Sequence, residues 1–446
     1  MGWDSHRDGE TGSSSSSDAT HHALLANVAL LVLLLAAGLI AAGCGDSAAA
    51  AEGEEVVIGL TTGHDPTGFM VKVIEACNKG AEGKWRIKQI TTPPSADAQR
   101  EQIIRRLAGK DSAMDIMSLD VVWTAEFADA GWLVDLSKRV EPDKKIWVPA
   151  SLNTVYYKGK YWAVSVGTNV AVLFYRTDII KTPPKTWEEM ATMAKAAQKQ
   201  HPGIGGFLWQ ATPYEGLTVD AMEFIYAAKG GVLSENGKES IIDKGDGTLY
   251  AFKFMRDLFK DGVTPKAVTT YREEESRQAF QQGKGVFLRN WSYVWALANG
   301  DDSKVAGKFD VVPLPSFKGR QAAGVLGGLN YGISRYSKHP ELAYDAIKCI
   351  ASPENSRQKL LIKGDLPAME APYVDAEVKK AFPFIGTMRT ALNTAYNRPV
   401  SPYYNDITYA LSKTSNDVAS GRLTPEAAVK KLDRSIQLAI DGNGEI

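Results

Sequence analysis

Trp291 and Tyr293 stand two apart just after the strand-like run 285–288, so on an extended segment both rings face the same side. Asp120 closes another strand-like run directly before a loop, which is where open α/β sheets present ligand-binding groups. Asn169 adds an amide that can both donate to and accept from hydroxyls. Oxygens that accept hydroxyl hydrogens, set beside aromatic planes that cover apolar C–H faces, suit a neutral polyhydroxylated ligand. The same acids admit a second chemistry: Asp120, Glu126 and Glu273 could supply two carboxylates at one cleft, as glycoside hydrolysis requires. Against that, no motif fixes an acid and a nucleophile at a set separation. No Walker phosphate loop, HExxH or GxSxG run occurs either. Beyond residue 44 the histidines are His64, His201 and His339, none near another or near a cysteine at ligand spacing, so no metal site is expected.

The elements that must position these groups alternate. Residues 56–60 form a β-branched strand, and 69–78 carry apolar residues at helical spacing. The order then repeats, with 84–90 as strand, 96–108 as helix, 115–119 as strand and 126–131 as a short helix. Repeated strand-helix order means an α/β sheet with helices on both faces. The long run 162–176, with Gly167 near its middle, reads as a crossover between lobes. Thr186, followed by Glu188 and Glu189, opens a helix and a mostly helical stretch to about residue 295, including 250–259 and 276–281. Residues 309–315 form a second crossover and 364–367 a third. A chain of 446 residues with 44% hydrophobic residues exceeds one ordinary domain, and two lobes are expected. With 51 basic against 52 acidic side chains and no long basic block, nucleic acid is excluded as a partner.

The one long apolar run, residues 23–42, ends in Ala41-Ala42-Gly43-Cys44. This reads as a signal peptide over 1–43 closing on a lipobox, with Cys44 acylated at the membrane. A plain anchor helix is the alternative, since 20 residues could just span a bilayer. Two features depart from the usual pattern: Ala41 stands where leucine is common, and residues 1–22 are long, Ser-rich and acidic. Residues 44–54 read as a flexible tether. Cys77 and Cys349 remain, and in an oxidising compartment they are either a disulfide or two buried thiols.

Four stretches, in order, carry a family resemblance: DIMSLDVVW (115–123) with EFADAGWL (126–133); LFYR (173–176); AFQQGK (279–284) through RNWSY (289–293); and VPLP (312–315) with Gly327 and Gly328. Together they resemble the carbohydrate-binding lipoproteins of bacterial ABC importers, the maltose-binding-protein-like superfamily, and within it the trehalose/maltose-binding branch. The resemblance spans essentially the whole chain after Cys44. It implies a two-lobe α/β fold of the type II periplasmic-binding-protein kind, with three crossovers and an interlobe ligand cleft. The first lobe would be 55–164 plus 314–363 and the second 167–312 plus 366–446. Cys77 and Cys349 would then both fall on helices of the first lobe.

The resemblance also implies a ligand set. Asp120 would bind sugar hydroxyls, with capping of the following helix as its rival role. Asn169 would join it, and Trp291 and Tyr293 would stack on sugar rings. Glu273 would reach the ligand from the second lobe, and Arg398 would stand at the cleft. Gly327 and Gly328 would let backbone approach the ligand, and His64 and Asp65 would add polar contacts from the first loop. Relatives commonly carry an aromatic residue after the paired glycines, where this chain has Leu329-Asn330, and many have Asp in place of Asn169. The function implied is that of a monomeric extracytoplasmic receptor, lipid-anchored to the outer face of the cytoplasmic membrane. It would bind a glucose-containing disaccharide, trehalose ahead of maltose, and deliver it by hinge closure to a permease with its cytoplasmic ATPase. No cofactor is expected. An exported glycoside hydrolase is the competing reading, and a receptor for peptides, metal ions or amino acids is disfavoured.

Overall fold

The computed structural model describes residues 55–444 apart from 64 and 66, so the expected signal peptide, Cys44, the tether and His64 lie outside the described residues. Among the described residues, no helix is long and apolar enough to cross a membrane.

The first sheet grows from buried β-branched runs. Strands β1 (Val56–Thr62), β2 (Trp85–Thr91) and β3 (Ile116–Asp120) alternate with helices α1 (Phe69–Gly80) and α2 (Ala96–Ala108). β1 pairs in parallel with both β2 and β3, and its residues are buried without a break from Ile58 to Thr62. Helix α3 (Trp123–Asp129) follows β3 directly and begins three residues earlier than the sequence suggests. Two later strands complete this sheet, β4 (Val164–Val170) and β9 (Leu326–Ile333), in the order β2-β1-β3-β9-β4. β9 runs antiparallel to both neighbours, with an irregularity at Leu329/Asn330.

The run 162–176 is not one strand. It divides at Ala171 into β4, in the first sheet, and β5 (Val172–Arg176), in the second. The second sheet has the order β8-β5-β7-β6, with β6 (Gly205–Leu208), β7 (Gly285–Asn290) and β8 (Phe309–Pro313). β6 interrupts the stretch expected to be mostly helical. Its Gly-Gly-Phe-Leu sequence lacks β-branched residues, and complete burial beside β7 makes it a strand.

Around this sheet pack α4 (Trp187–Gln200), α5 (Glu215–Ala227), α6 (Gly247–Lys260) and α7 (Glu273–Gln281). α4 starts as its sequence indicates: the Thr186 hydroxyl accepts the Glu189 N–H at 3.1 Å, and Glu189 accepts back from the Thr186 N–H at 3.3 Å. An aromatic core of Trp187, Phe207, Trp209 and Phe224 fills the space, with Trp187 and Phe224 edge-to-face at 4.9 Å.

The chain closes with α8 (Pro340–Ile350) and α9 (Pro353–Lys363), then α10 (Tyr404–Ala419) and α11 (Pro425–Ile440). A second core of Ile58, Leu60, Val73, Ile74 and Ile347 lies under α1 and α8. There Cys77 and Cys349 form a disulfide, with Cα atoms 5.9 Å apart and 272 positions between them in sequence.

Candidate functional site

A cavity of about 630 Å³ is lined by groups from both sheets. Asp120, Asn169, Glu273, Trp291, Tyr293, Gly327, Gly328 and Arg398 all line it. Most are delivered by the ends of strands or helices and Arg398 by a loop, and together they span 278 positions.

Asp120 stands at the C-terminal end of β3. Its Oδ1 accepts from the Val122 N–H at 3.2 Å and from Arg398 Nη2 at 2.7 Å, so the local turn and the ion pair share one oxygen and leave Oδ2 for the cavity. Arg398 is buried and is the bridge of this region. Its Nη1 donates to Glu215 Oε1 at 2.6 Å and its Nε to the Leu326 carbonyl at 3.3 Å. Arg398 is thus tied to Asp120 and Glu215 and is no isolated cation at the cavity. Glu215, at the start of α5, also accepts from the hydroxyls of Tyr404 at 2.6 Å and Thr408 at 2.7 Å. Burial pushes its pKa up to about 7, against the opposing pull of Arg398.

Trp291 and Tyr293 do not lie on an extended segment. β7 ends at Asn290, and by Tyr293 the backbone is already helical, at φ −58° and ψ −25°. Both rings reach the cavity from a turn. The Trp291 indole is held over the Arg289 guanidinium, 4.5 Å from its centroid. Arg289 is itself buried and bonded to Glu223 at 2.6 and 2.8 Å, to Gln210 at 2.8 Å and to Asp220 at 2.8 Å. The Tyr293 hydroxyl donates to Glu274 at 2.6 Å, and burial pushes its pKa up.

The paired glycines line the cavity and are also required by their neighbours. A Cβ on Gly327 would stand 3.1 Å from the Trp291 ring, and one on Gly328, at φ 139°, only 2.3 Å from the Gly167 carbonyl oxygen. Their missing side chains make room for the indole and for β4. Leu329 presents an aliphatic side chain to the cavity. Asn330 is fully buried, donating to Thr124 and accepting from Thr154, each at 3.2 Å.

Glu273 accepts the Tyr214 hydroxyl at 2.6 Å, and the Arg272 guanidinium lies 5.3 Å from the Tyr214 ring. Tyr214, Glu215, Arg272, Gln99 and Trp123 all line the cavity and were not singled out from the sequence. The available signal was Pro213-Tyr214-Glu215, an aromatic and an acid at a helix start, and it is a weak one. Asp65 is not among the lining groups. Its carboxylate accepts from Thr67 and Met70 and lies 3.5 Å from Lys363, so it holds the start of α1. Glu126 is also outside the cavity, bound to Arg100 at 2.9 Å, so of the three acids only Asp120 and Glu273 line it. Among the described residues, no group of three His, Cys, Asp or Glu side chains could hold a metal ion.

Residues 64–357 match the family model described as bacterial extracellular solute-binding protein. A probable ABC transporter-binding protein of Deinococcus radiodurans is 32% identical over 418 residues, covering 89% of this chain and 97% of that one. Among solved structures, maltose-bound MalE3 of T. maritima is 31% identical, with 86% of this chain and 99% of that chain covered and a TM-score of 0.81. The GacH receptor of Streptomyces glaucescens, at 19% identity, shares the fold with a TM-score of 0.78 over 87% of this chain and 99% of its own. The two-sheet architecture is accordingly that of the type II periplasmic binding proteins.

Proposed function

Because the chain belongs to the bacterial extracellular solute-binding proteins, we propose that it is the receptor of an ABC sugar importer and binds a glucose-containing disaccharide between its two sheets. The observation that carries this reading is the cavity itself. Asp120 and Asn169 line the same space as Trp291, which sets polar groups suited to hydroxyls next to a stacking plane. The maltose seated in the related T. maritima protein supports the ligand class. Trehalose ahead of maltose is the preference implied by the sequence resemblance, and maltose is its direct competitor.

In this reading 55–164 plus 314–363 and 167–312 plus 366–446 move as two lobes about the three crossovers. Ligand that touches both lobes favours the closed population, which the permease then receives. A monomer held at the outer face of the cytoplasmic membrane by lipid on Cys44 completes the proposal. The sugar would leave the protein chemically unchanged.

Calorimetric titration of the purified protein with trehalose, maltose, sucrose, glucose and a maltodextrin tests it, with released glucose assayed afterwards. One-to-one binding of a disaccharide without hydrolysis, weakened at least ten-fold by Asp120→Ala and by Trp291→Ala, is the expected result. No heat with any sugar would refute the ligand class. Glucose accumulating in the cell would turn the reading to hydrolysis.

A further inference from the structure

The floor of the cavity holds a charged pair that the contacts above leave unused. Lys359, on α9, and Asp365, just beyond its end, both line the cavity beside Gly167 of β4. Their placement is fixed from three directions. Gly364 caps α9 in the left-handed region at φ 72°, and a Cβ there would stand 3.1 Å from the Ser292 carbonyl oxygen and from Tyr293 Cα, so the aromatic turn packs directly on it. The Ser292 hydroxyl donates to the Gly364 carbonyl at 2.6 Å, and the Thr168 N–H donates to the Leu366 carbonyl at 3.1 Å. Asp365 is therefore pinned between the turn that carries Trp291 and the strand that carries Asn169.

The pair is poorly satisfied from within the protein. Lys359 Nζ lies 3.5 Å from Asp365 Oδ2, and the same oxygen lies 3.6 Å from Lys363, which also faces Asp65 at 3.5 Å. These spacings are longer than charge-assisted hydrogen bonds, which fall at about 2.7–2.9 Å. An ammonium has three donors and a carboxylate about four acceptor positions, so both groups keep capacity for a ligand. Burial holds the Lys359 ammonium below the usual lysine range, opposed by Asp365. A cation beside an anion repels a charged ligand group of either sign from one of its members. It matches a neutral diol, in which one hydroxyl accepts from the ammonium and its neighbour donates to the carboxylate.

We propose that Lys359 and Asp365 form a diol subsite that grips two adjacent hydroxyls of a bound sugar ring and selects among saccharides by hydroxyl configuration, an inference that rests on the saccharide reading above. The subsite lies where the segments linking the two sheets meet, so the hydroxyls it reads are those of the sugar ring nearest the crossovers.

The test titrates the full chain, as wild type, Lys359→Gln and Asp365→Asn, with maltose and trehalose and with their monodeoxy derivatives. Each variant should bind the parent sugar at least about ten-fold more weakly. The deoxy derivative that loses most affinity for wild type should lose little more in Lys359→Gln, because the contact has already gone. Should Lys359→Gln melt early, Lys359→Arg keeps the positive charge while redirecting its donors and carries the same cycle. Sugar binding by wild type with equal affinity in the folded variants would overturn the subsite alone. A wild-type chain that binds no saccharide would overturn the saccharide reading and the subsite with it.

Discussion

Arg289 touches no ligand-facing space of its own, yet it decides where the Trp291 plane lies. Its guanidinium is buried beneath the indole and pairs with both Asp220 and Glu223, whose pKa values burial pushes up. Replacing one member of a buried ion network leaves the others charged and unpaired, which costs about 3–5 kcal/mol. Arg289→Met should therefore destabilise the fold by about that amount in urea unfolding, and weaken sugar binding through a displaced indole. Glu215 offers a pH signature. Folding raises its pKa from 4.5 to about 7, mainly by burial, so in that window the native chain holds a proton that the unfolded chain has released. Its contribution to stability is then fully present below about pH 4.5 and is lost as pH rises through about 7. The expected outcome is a fall in melting temperature across that window in wild type and a flatter profile in Glu215→Gln, read by calorimetry with Arg398, Asp120, Tyr404 and Thr408 intact. None of this was legible in the sequence, where Arg289 and Glu215 are two charges among many. Asp120, by contrast, was marked out by its position at a strand end.

Elements were easier to read where burial and propensity agree. β1, α1, β2 and α2 follow from β-branched runs and helical spacing, and α4 from its Thr186 and Glu189 cap. β6 was hidden because two of its four residues are glycine, and tertiary burial alone makes it a strand. The aromatic pair was placed at the cavity for the wrong reason: a helical turn after β7, not strand alternation, delivers both rings. The disulfide belongs at this scale, since it fastens α1 to α8 across 272 positions. Its removal lengthens the accessible unfolded chain, with a typical cost of about 2–5 kcal/mol. Cys77→Ser with Cys349→Ser should therefore lower the unfolding free energy by that order. Sugar affinity should stay close to wild type, because neither helix lines the cavity; a large loss of affinity would show that the first sheet's far side governs the site.

At the scale of the molecule, charged groups join the two sheets across the cavity, and in the proposed closure they would help to hold the lobes together. Arg398 joins Asp120 of the first sheet to Glu215 beside the second, and Asp97, on α2, feels the charges of Arg272 and Asp120. The Asp97 side chain is exposed; partial desolvation raises its pKa, while Arg272 draws it down. If the chain closes as proposed, the attraction between Asp97 and Arg272 would favour the closed population. Asp97→Asn keeps the shape of the side chain and removes the charge that attracts Arg272. The expected result is a ligand dissociation rate several-fold faster than wild type. The unfolding free energy should stay within about 1 kcal/mol, because no core side chain is altered. Stopped-flow release of bound sugar and urea unfolding measure the two quantities separately. An unchanged release rate would place closure in the ligand's own contacts with both lobes, leaving Asp97 no part in it.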